Sequence, residues 1–498
     1  MWFSWISLAI FSFSCILIIR AISSTRSRPY NTQLPPSPSS LPIIGNLHQI
    51  LNDMPHKCFA NLAKIHGPIM TLQLGQMTTI VISSPDAASE LIHKNDIAIS
   101  SRSVPDAVRT LRHHELSVVW LPANPQWKDL RRICSTELFT SRRLDANEGL
   151  RAHKVRELIA YVSECCDSQK VVDIGRVVFT TTLNLLSNTI FSVDFVKLDS
   201  DSESSEFKDL VKKIMEEAAS SNPSDFFPCL RVMDPLGRRR RMKAYFKKLH
   251  AIFDDNIDRR LLQDASRHND LLDTLLHSEE ESSRIDRHTM KSLFSDLFAA
   301  GSDTSSITVE WAMAELIRNP KVMARARAEI ATVIEPKKVV VESDIERLHY
   351  LQAVVKETLR LHPPAAFLLP RKAESRIALG QYIIPEGARV VVNVWAIGRD
   401  PRVWADPEEF RPERFLEEEI DFKCRNFKLI PFGAGRRICP GIPLASRMVH
   451  LVLASLLQRF EWKLEDGVEP ENMDMSEIFG ITVARALPLR AVPVVPSD

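Results

Sequence analysis

Neither sign of charge dominates this 498-residue chain: 64 Lys and Arg face 63 Asp and Glu, a formal net charge of +1. That balance gives no whole-chain attraction to nucleic acid and leaves no acidic or basic tail. Cysteine is sparse, with eight residues (positions 15, 58, 134, 165, 166, 229, 424 and 439) at irregular spacing. They form neither a disulfide framework nor a paired CxxC zinc pattern, which points to a reducing compartment. Also absent are GxGxxG after a strand, a P-loop, HExxH and GxSxG, so a built-in nicotinamide or flavin domain is not expected. From about Pro85 to Leu361 no internal repeat or low-complexity break stands out either. What remains is 45% apolar and 26% charged residues, the ordinary balance of a chain that buries a core. The length fits about three domains or one large one.

The first residues carry a separate signal. Trp2 to Ile19 is uncharged, and Arg20, Arg26 and Arg28 follow. At 1.5 Å rise per residue such a run reaches roughly 27 Å, enough for a bilayer core. A cleaved signal peptide would place its basic residues before the apolar run. Here they come after it, which predicts a retained single-pass anchor with the bulk of the chain in the cytosol. The expected organisation is an anchor and basic stop over 1–28, a proline-rich hinge over 29–44 and a globular domain over 45–498. Prolines at 35, 36, 38 and 42 exclude helix there and suggest a short stiff spacer.

The remaining pattern predicts a mainly α fold with a minor β portion. Ile69 to Ser83 alternates around Gly75 and reads as a β-hairpin. Met290, Leu293, Phe294, Leu297 and Phe298 form an apolar stripe on a helix predicted over Thr289–Arg318. A second helix is expected over Leu348–Leu361, preceded by a turn capped through Ser343 and Glu346. Strands follow at Tyr382–Ile384 and Arg389–Val394, then a last helix over Leu444–Phe460. Arg238 to Arg241 reads as a solvated helix start.

Four local patterns could carry chemistry. In Phe432-Gly433-Ala434-Gly435-Arg436-Arg437-Ile438-Cys439-Pro440-Gly441, glycines at 435 and 441 let the backbone bend around a sulfur and bring amides to it. A thiolate so held, beside Phe432 and ahead of a helix N-terminus, suits a metal ligand. Arg437 offers a fixed charge for a carboxylate on a bound cofactor. Glu357 and Arg360 share a helix face; alone they would be a weak surface pair. Ala300-Gly301-Ser302-Asp303-Thr304 interrupts the longest helix with poor helix formers, and a buried kink is the plain alternative. Trp127 to Arg131 is amphipathic, with Arg132, Arg142 and Arg143 nearby.

The cysteine segment matches all five specified residues of Phe-x-x-Gly-x-Arg-x-Cys-x-Gly, for which a chance occurrence is on the order of one in a hundred thousand. It resembles the haem-thiolate signature of the cytochrome P450 family, and the resemblance covers almost the whole chain. It implies a cytochrome P450 fold holding haem b, with Cys439 as the iron ligand. It assigns Trp127, Arg131, Arg371 and Arg437 to the haem propionates. It makes Thr304 the hydroxyl that orients dioxygen and Asp303 the acid that relays protons, a pairing that suits relay chemistry. Glu357, Arg360 and Arg414 become a structural network.

The activity implied is insertion of one oxygen atom from O2 into a lipophilic substrate. Electrons would come from NADPH-cytochrome P450 reductase, drawn to exposed basic residues, at the endoplasmic reticulum membrane. Stretches such as Val309 to Leu316 and Ile397 to Pro401 resemble the plant branch containing geraniol hydroxylase and ferruginol synthase, implying a monoterpenol or diterpene substrate. An alkaloid, a phenylpropanoid, or a non-enzymatic haem- or lipid-binding role are the other readings. Relatives that rearrange hydroperoxides usually lose the Gly-x-Asp/Glu-Thr pattern, which is kept here. Ser37 and Cys424 stand where the branch usually has glycine. Expected pocket walls are Phe298 to Ala300, Ala365 to Leu369 and Phe479 to Thr482, all uncharged.

Overall fold

The computed structural model describes residues 33–50, 54–198, 205–262, 268–277, 285–335, 338–422 and 426–496. The predicted anchor, the first residues of the hinge and Cys424 lie outside them. Among the described residues no helix is long and apolar enough to cross a membrane.

From the N-terminus run α1 (Pro55–His66), β1 (Ile69–Leu74), β2 (Met77–Ile82), β3 (Ser101–Arg102), α2 (Pro125–Ile133), α3 (Glu148–Asp167) and α4 (Ile174–Phe191). They are followed by α5 (Ser205–Ala219), α6 (Arg238–Leu262), α7 (Arg287–Arg318), α8 (Pro320–Val333) and α9 (His349–Leu361). Last come β4 (Arg371–Lys372), β5 (Arg389–Val392), α10 (Ile442–Arg459), β6 (Glu477–Phe479) and β7 (Val483–Arg485). The fold is mainly α with small sheets, as the pattern predicts.

The expected hairpin is present, with Ile69 opposite Ile82 and Leu74 opposite Met77. Its sheet runs β1-β2-β5-β4-β3. The apolar stripe of α7 buries Leu293, Phe294 and Phe298 completely. On its far half Trp311, Ala312, Met313 and Ala314 are equally buried, so α7 threads the centre of the molecule. It is a core helix by burial and not by uniform apolarity, since Asp296, Glu310 and Glu315 are buried along it as well. Asp286 caps it, its carboxylate accepting from the amides of His288 and Thr289. Gly301 does not break it. A Cβ there would lie 2.7 Å from Leu186 of α4, so the glycine lets two central helices close against each other.

Several boundaries differ from expectation. The turn before α9 is capped by Asp344, which accepts from the Val341 amide at 3.0 Å, and not through Ser343. The strand from Arg389 ends at Val392, because the Asn393 side chain accepts from Ala396 and starts a short helix. The proline segment is more than a spacer. The carbonyls of Pro35 and Pro36 accept from Thr71 of β1 at 3.0 and 2.8 Å. The arginines opening α6 are not simply solvated: Arg239 pairs with fully buried Asp106, and Arg238 and Arg241 with Glu217.

Candidate active site

The cysteine loop lies between the sheet and α10. Gly433 and Gly435 adopt φ of +71 and +70°, a conformation side chains rarely take. A Cβ on Gly435 would fall 2.4 Å from Asp96. The Cys439 amide donates to the Phe432 carbonyl at 2.9 Å, closing the loop. Burial pushes the Cys439 thiol up, while the amides of Gly441 and Ile442 and the nearby Arg131 pull it down. The expected amide donors are therefore present, at the first turn of α10. Gly441 itself has an ordinary φ of −82°, and an added Cβ would make only van der Waals contact with the sulfur at 3.7 Å. Its contribution is the amide, and Gly433 is the second glycine the bend requires.

Four guanidinium groups converge on this loop. Arg131 of α2 donates to the Ile438 carbonyl at 2.6 Å, and Arg437 to the Ser100 carbonyl at 2.6 Å. Arg437 also lies 4.4 Å above the Trp127 ring, whose indole N–H bonds the Val118 carbonyl. Arg371 of β4 donates to the Ala434 carbonyl at 2.7 Å. Arg102 of β3, which sequence reading missed, donates to the Leu369 carbonyl while its buried Nε has no partner. Arg102 and Arg371 are direct cross-strand partners, an unfavourable pairing of like charges. Burial drives all four below the usual arginine range, and for Arg102 the fields of Arg371, Arg437 and Arg131 add to it. Arg437 is brought down to about 10. Asp96, also missed, is the carboxylate among them. It sits 3.4 Å from Arg371 and accepts from the Arg436 amide at 2.9 Å. One carboxylate for four cations leaves a cradle short of negative charge, which an anionic ligand would supply.

Glu357, Arg360 and Arg414 are buried together. Arg360 makes a bidentate pair with Glu357 at 2.7 and 2.8 Å, and Arg414 reaches the same carboxylate at 3.0 Å. Arg360 also donates to the carbonyls of Gly398, Pro407 and Glu409. The network thus ties α9 to the 398–414 segment that leads into the cysteine loop.

Along α7, burial is relieved at Ala299, Ala300, Gly301, Asp303 and Thr304, while Ser302 stays fully buried. The Thr304 hydroxyl donates to the Ala300 carbonyl at 2.7 Å, so its oxygen keeps lone pairs free to accept. Asp303 receives the Thr482 hydroxyl at 2.5 Å, and burial raises its carboxyl above the usual range. Of the expected pocket walls, Phe298 is misassigned. It is fully buried in a ring cluster with Phe191, Phe195, Phe207 and Phe253. Phe367 and Phe479 meet edge to face, with ring centroids 5.7 Å apart.

A helical fold with a cradle short of negative charge beside a closed cysteine loop suits an acidic group held through a cysteine sulfur. The chain belongs to the cytochrome P450 family, whose model matches residues 35–488. It is 53% identical over 463 residues to a geraniol 8-hydroxylase of Catharanthus roseus (92% of this chain, 94% of the relative). To a geraniol 8-hydroxylase of Swertia mussotii it is 49% identical over 493 residues (98% and 99%). A geranylhydroquinone 3''-hydroxylase of Arnebia euchroma is 46% identical over 467 residues (93% and 94%). This is a plant cytochrome P450 of the geraniol hydroxylase branch, a monooxygenase using O2 and a small substrate, and its family binds haem through a cysteine thiolate.

Proposed function

We propose that the protein is a membrane-anchored monooxygenase of the endoplasmic reticulum that hydroxylates a lipophilic terpenoid, a monoterpenol or a diterpene. The observation that carries the substrate class is the similarity, over almost the whole chain, to relatives named for geraniol and geranylhydroquinone hydroxylation. Ala299, Ala300, Ala365 and Ala366, on two of the segments expected to wall the pocket, are small and uncharged, which agrees with it. Such walls desolvate a hydrocarbon cheaply and strand a charged ligand.

In this reading haem b, bound with Cys439 as iron ligand, supplies dioxygen activation and insertion of one oxygen atom into a C–H or C=C bond. Arg102, Arg131, Arg371 and Arg437, with the Trp127 indole, hold its two propionates. That role resolves the excess of buried cations around Asp96. Thr304 Oγ accepts a hydrogen bond at the reaction face because its own proton is committed to Ala300. Asp303, its carboxyl raised by burial, holds and releases a proton beside it. The network of Glu357, Arg360 and Arg414 keeps the cysteine loop seated. NADPH-cytochrome P450 reductase supplies electrons, docking at exposed Lys128, Arg142 and Arg436. The apolar run Trp2–Ile19 supplies the anchor and 29–44 the hinge.

Difference spectroscopy against terpenoid, alkaloid, phenylpropanoid and fatty-acid panels tests the substrate class. A fitting substrate shifts the iron spin state by displacing water. Terpenoids should give the shift and turn over; a response confined to the other classes would refute the assignment.

A further inference from the structure

We propose that Thr482 is a positioning residue for Asp303: its hydroxyl, delivered by the turn between β6 and β7, fixes the carboxylate through which protons reach the reaction site. The proposal rests on the reading of Asp303 as the relay acid.

The contact is long in sequence and short in space, with Thr482 Oγ1 donating to Asp303 Oδ2 at 2.5 Å across 179 positions. Its delivery is rigid. Phe479 pairs with Val483, so Gly480, Ile481 and Thr482 form a three-residue turn. The Val483 amide donates to the Pro364 carbonyl at 2.7 Å, fastening the turn to the segment after α9. At the other end Glu477 is gripped by His56 at 3.1 Å and Lys57 at 2.8 Å. A Cβ on Gly480 would lie 3.8 Å from Ala219, so the turn runs near the end of α5 with room for little more than a methyl group between them.

The same C-terminal segment holds a second acid on the same face of α7. Seven residues beyond Asp303, Glu310 accepts from the Leu489 amide at 2.9 Å. The segment after β6 thus clasps two buried carboxyl groups of the central helix, one through a side-chain hydroxyl and one through an amide. For Asp303 the clasp opposes burial: desolvation favours the protonated acid, while the Thr482 bond, and more weakly Lys212 of α5, favour the carboxylate. A residue outside the long helix therefore sets both where the acid points and how readily it gives up its proton.

The test uses the full-length haem-loaded chain with reductase and three single variants: the near-isostere Thr482→Val, Thr482→Ser and Asp303→Ala. Thr482→Val should lower product formed per NADPH consumed by roughly tenfold, the scale of a lost hydrogen bond to a charged group. The ratio is read at saturating substrate, so that a change of affinity at this pocket-wall position does not enter it, and Thr482→Ser should restore it. Independently of turnover, unfolding midpoints of Thr482→Val, Asp303→Ala and the double variant should be non-additive, with the valine costing little once Asp303 is gone. Normal coupling in Thr482→Val but not in Asp303→Ala would overturn the proposal and leave the relay reading standing. Normal coupling in Asp303→Ala would remove the relay reading itself. Additive midpoints would show that the hydrogen bond is not formed.

Discussion

Replacing Glu357 by Gln tests how much the buried network of Glu357, Arg360 and Arg414 stabilises the fold and whether, as proposed, it seats the cysteine loop. The carboxylate is fully buried and accepts four hydrogen bonds: Arg360 Nε and Nη2, Arg414 Nε and the Arg411 amide. Gln keeps the volume but turns an amide N–H₂ toward guanidinium donors and leaves two buried cations uncompensated. Breaking a buried ion pair from one side costs about 3–5 kcal/mol, because the stranded charge cannot return to water. With a urea m-value near or above ~3 kcal/mol/M for so long a chain, the midpoint should fall by roughly 1 M. The assay is urea unfolding followed by far-UV circular dichroism, with haem retention measured in parallel. An exposed pair supplies the comparison. Lys248 and Glu206, 63% and 68% exposed, should give a loss under about 1 kcal/mol for Glu206→Ala. The double variant Glu357→Leu, Arg360→Met removes that pair, but it leaves Arg414 a buried cation without its carboxylate and takes the Arg360 donors from the carbonyls of Gly398, Pro407 and Glu409. It should therefore recover little. A midpoint for Glu357→Gln within the range of the surface variant would refute the stranded-charge cost, and full recovery in the double variant would show that neither the unpaired Arg414 nor those carbonyl bonds matter.

Cys439→Ser should abolish the red-shifted Soret band of a thiolate-ligated ferrous carbonyl complex; a variant that keeps the band would make another cysteine the ligand. Thr304→Ala should retain haem and substrate but lower product formed per NADPH consumed, and an unchanged ratio would show that this hydroxyl is dispensable. Arg102→Gln should release haem about tenfold faster to an apo-globin acceptor, since it removes one cation from the cradle; equal rates would place the propionates elsewhere. Burial raises the Glu310 carboxyl from 4.5 to about 7. Between those values the unfolded chain ionises and the folded chain does not, so folding stability falls as pH rises from about 4.5 to 7. Glu310→Gln should remove that fall and be more stable at pH 8, by ~3 kcal/mol at most. Parallel pH profiles of the two unfolding midpoints would refute it.

What could be read from the sequence is what lies close along it. The hairpin around Gly75 and the stripe on α7 declare themselves through periods of two and 3.6, and the structure bounds α7 at Arg287–Arg318. Glu357 and Arg360 share a turn of helix, but Arg414 joins them only through the fold, and here family resemblance did what spacing could not. Phe298 shows the limit of reading a pocket from apolar character alone: it sits on the expected helix, yet points into a ring cluster rather than a pocket. Nothing in Ser101-Arg102-Ser103 or around Asp96 marks either residue locally. Their meaning arises when β3 lies against β4 and sets Arg102 opposite Arg371. A sequence cannot display that clash, because each arginine alone is an ordinary surface residue. Once the strands pair, the cost of holding like charges together in a buried place is the signal. A fold does not keep four guanidinium groups around one carboxylate without a compensating anion. The strained arrangement therefore says more about what the protein binds than the well-satisfied Glu357 network, which is complete without any ligand.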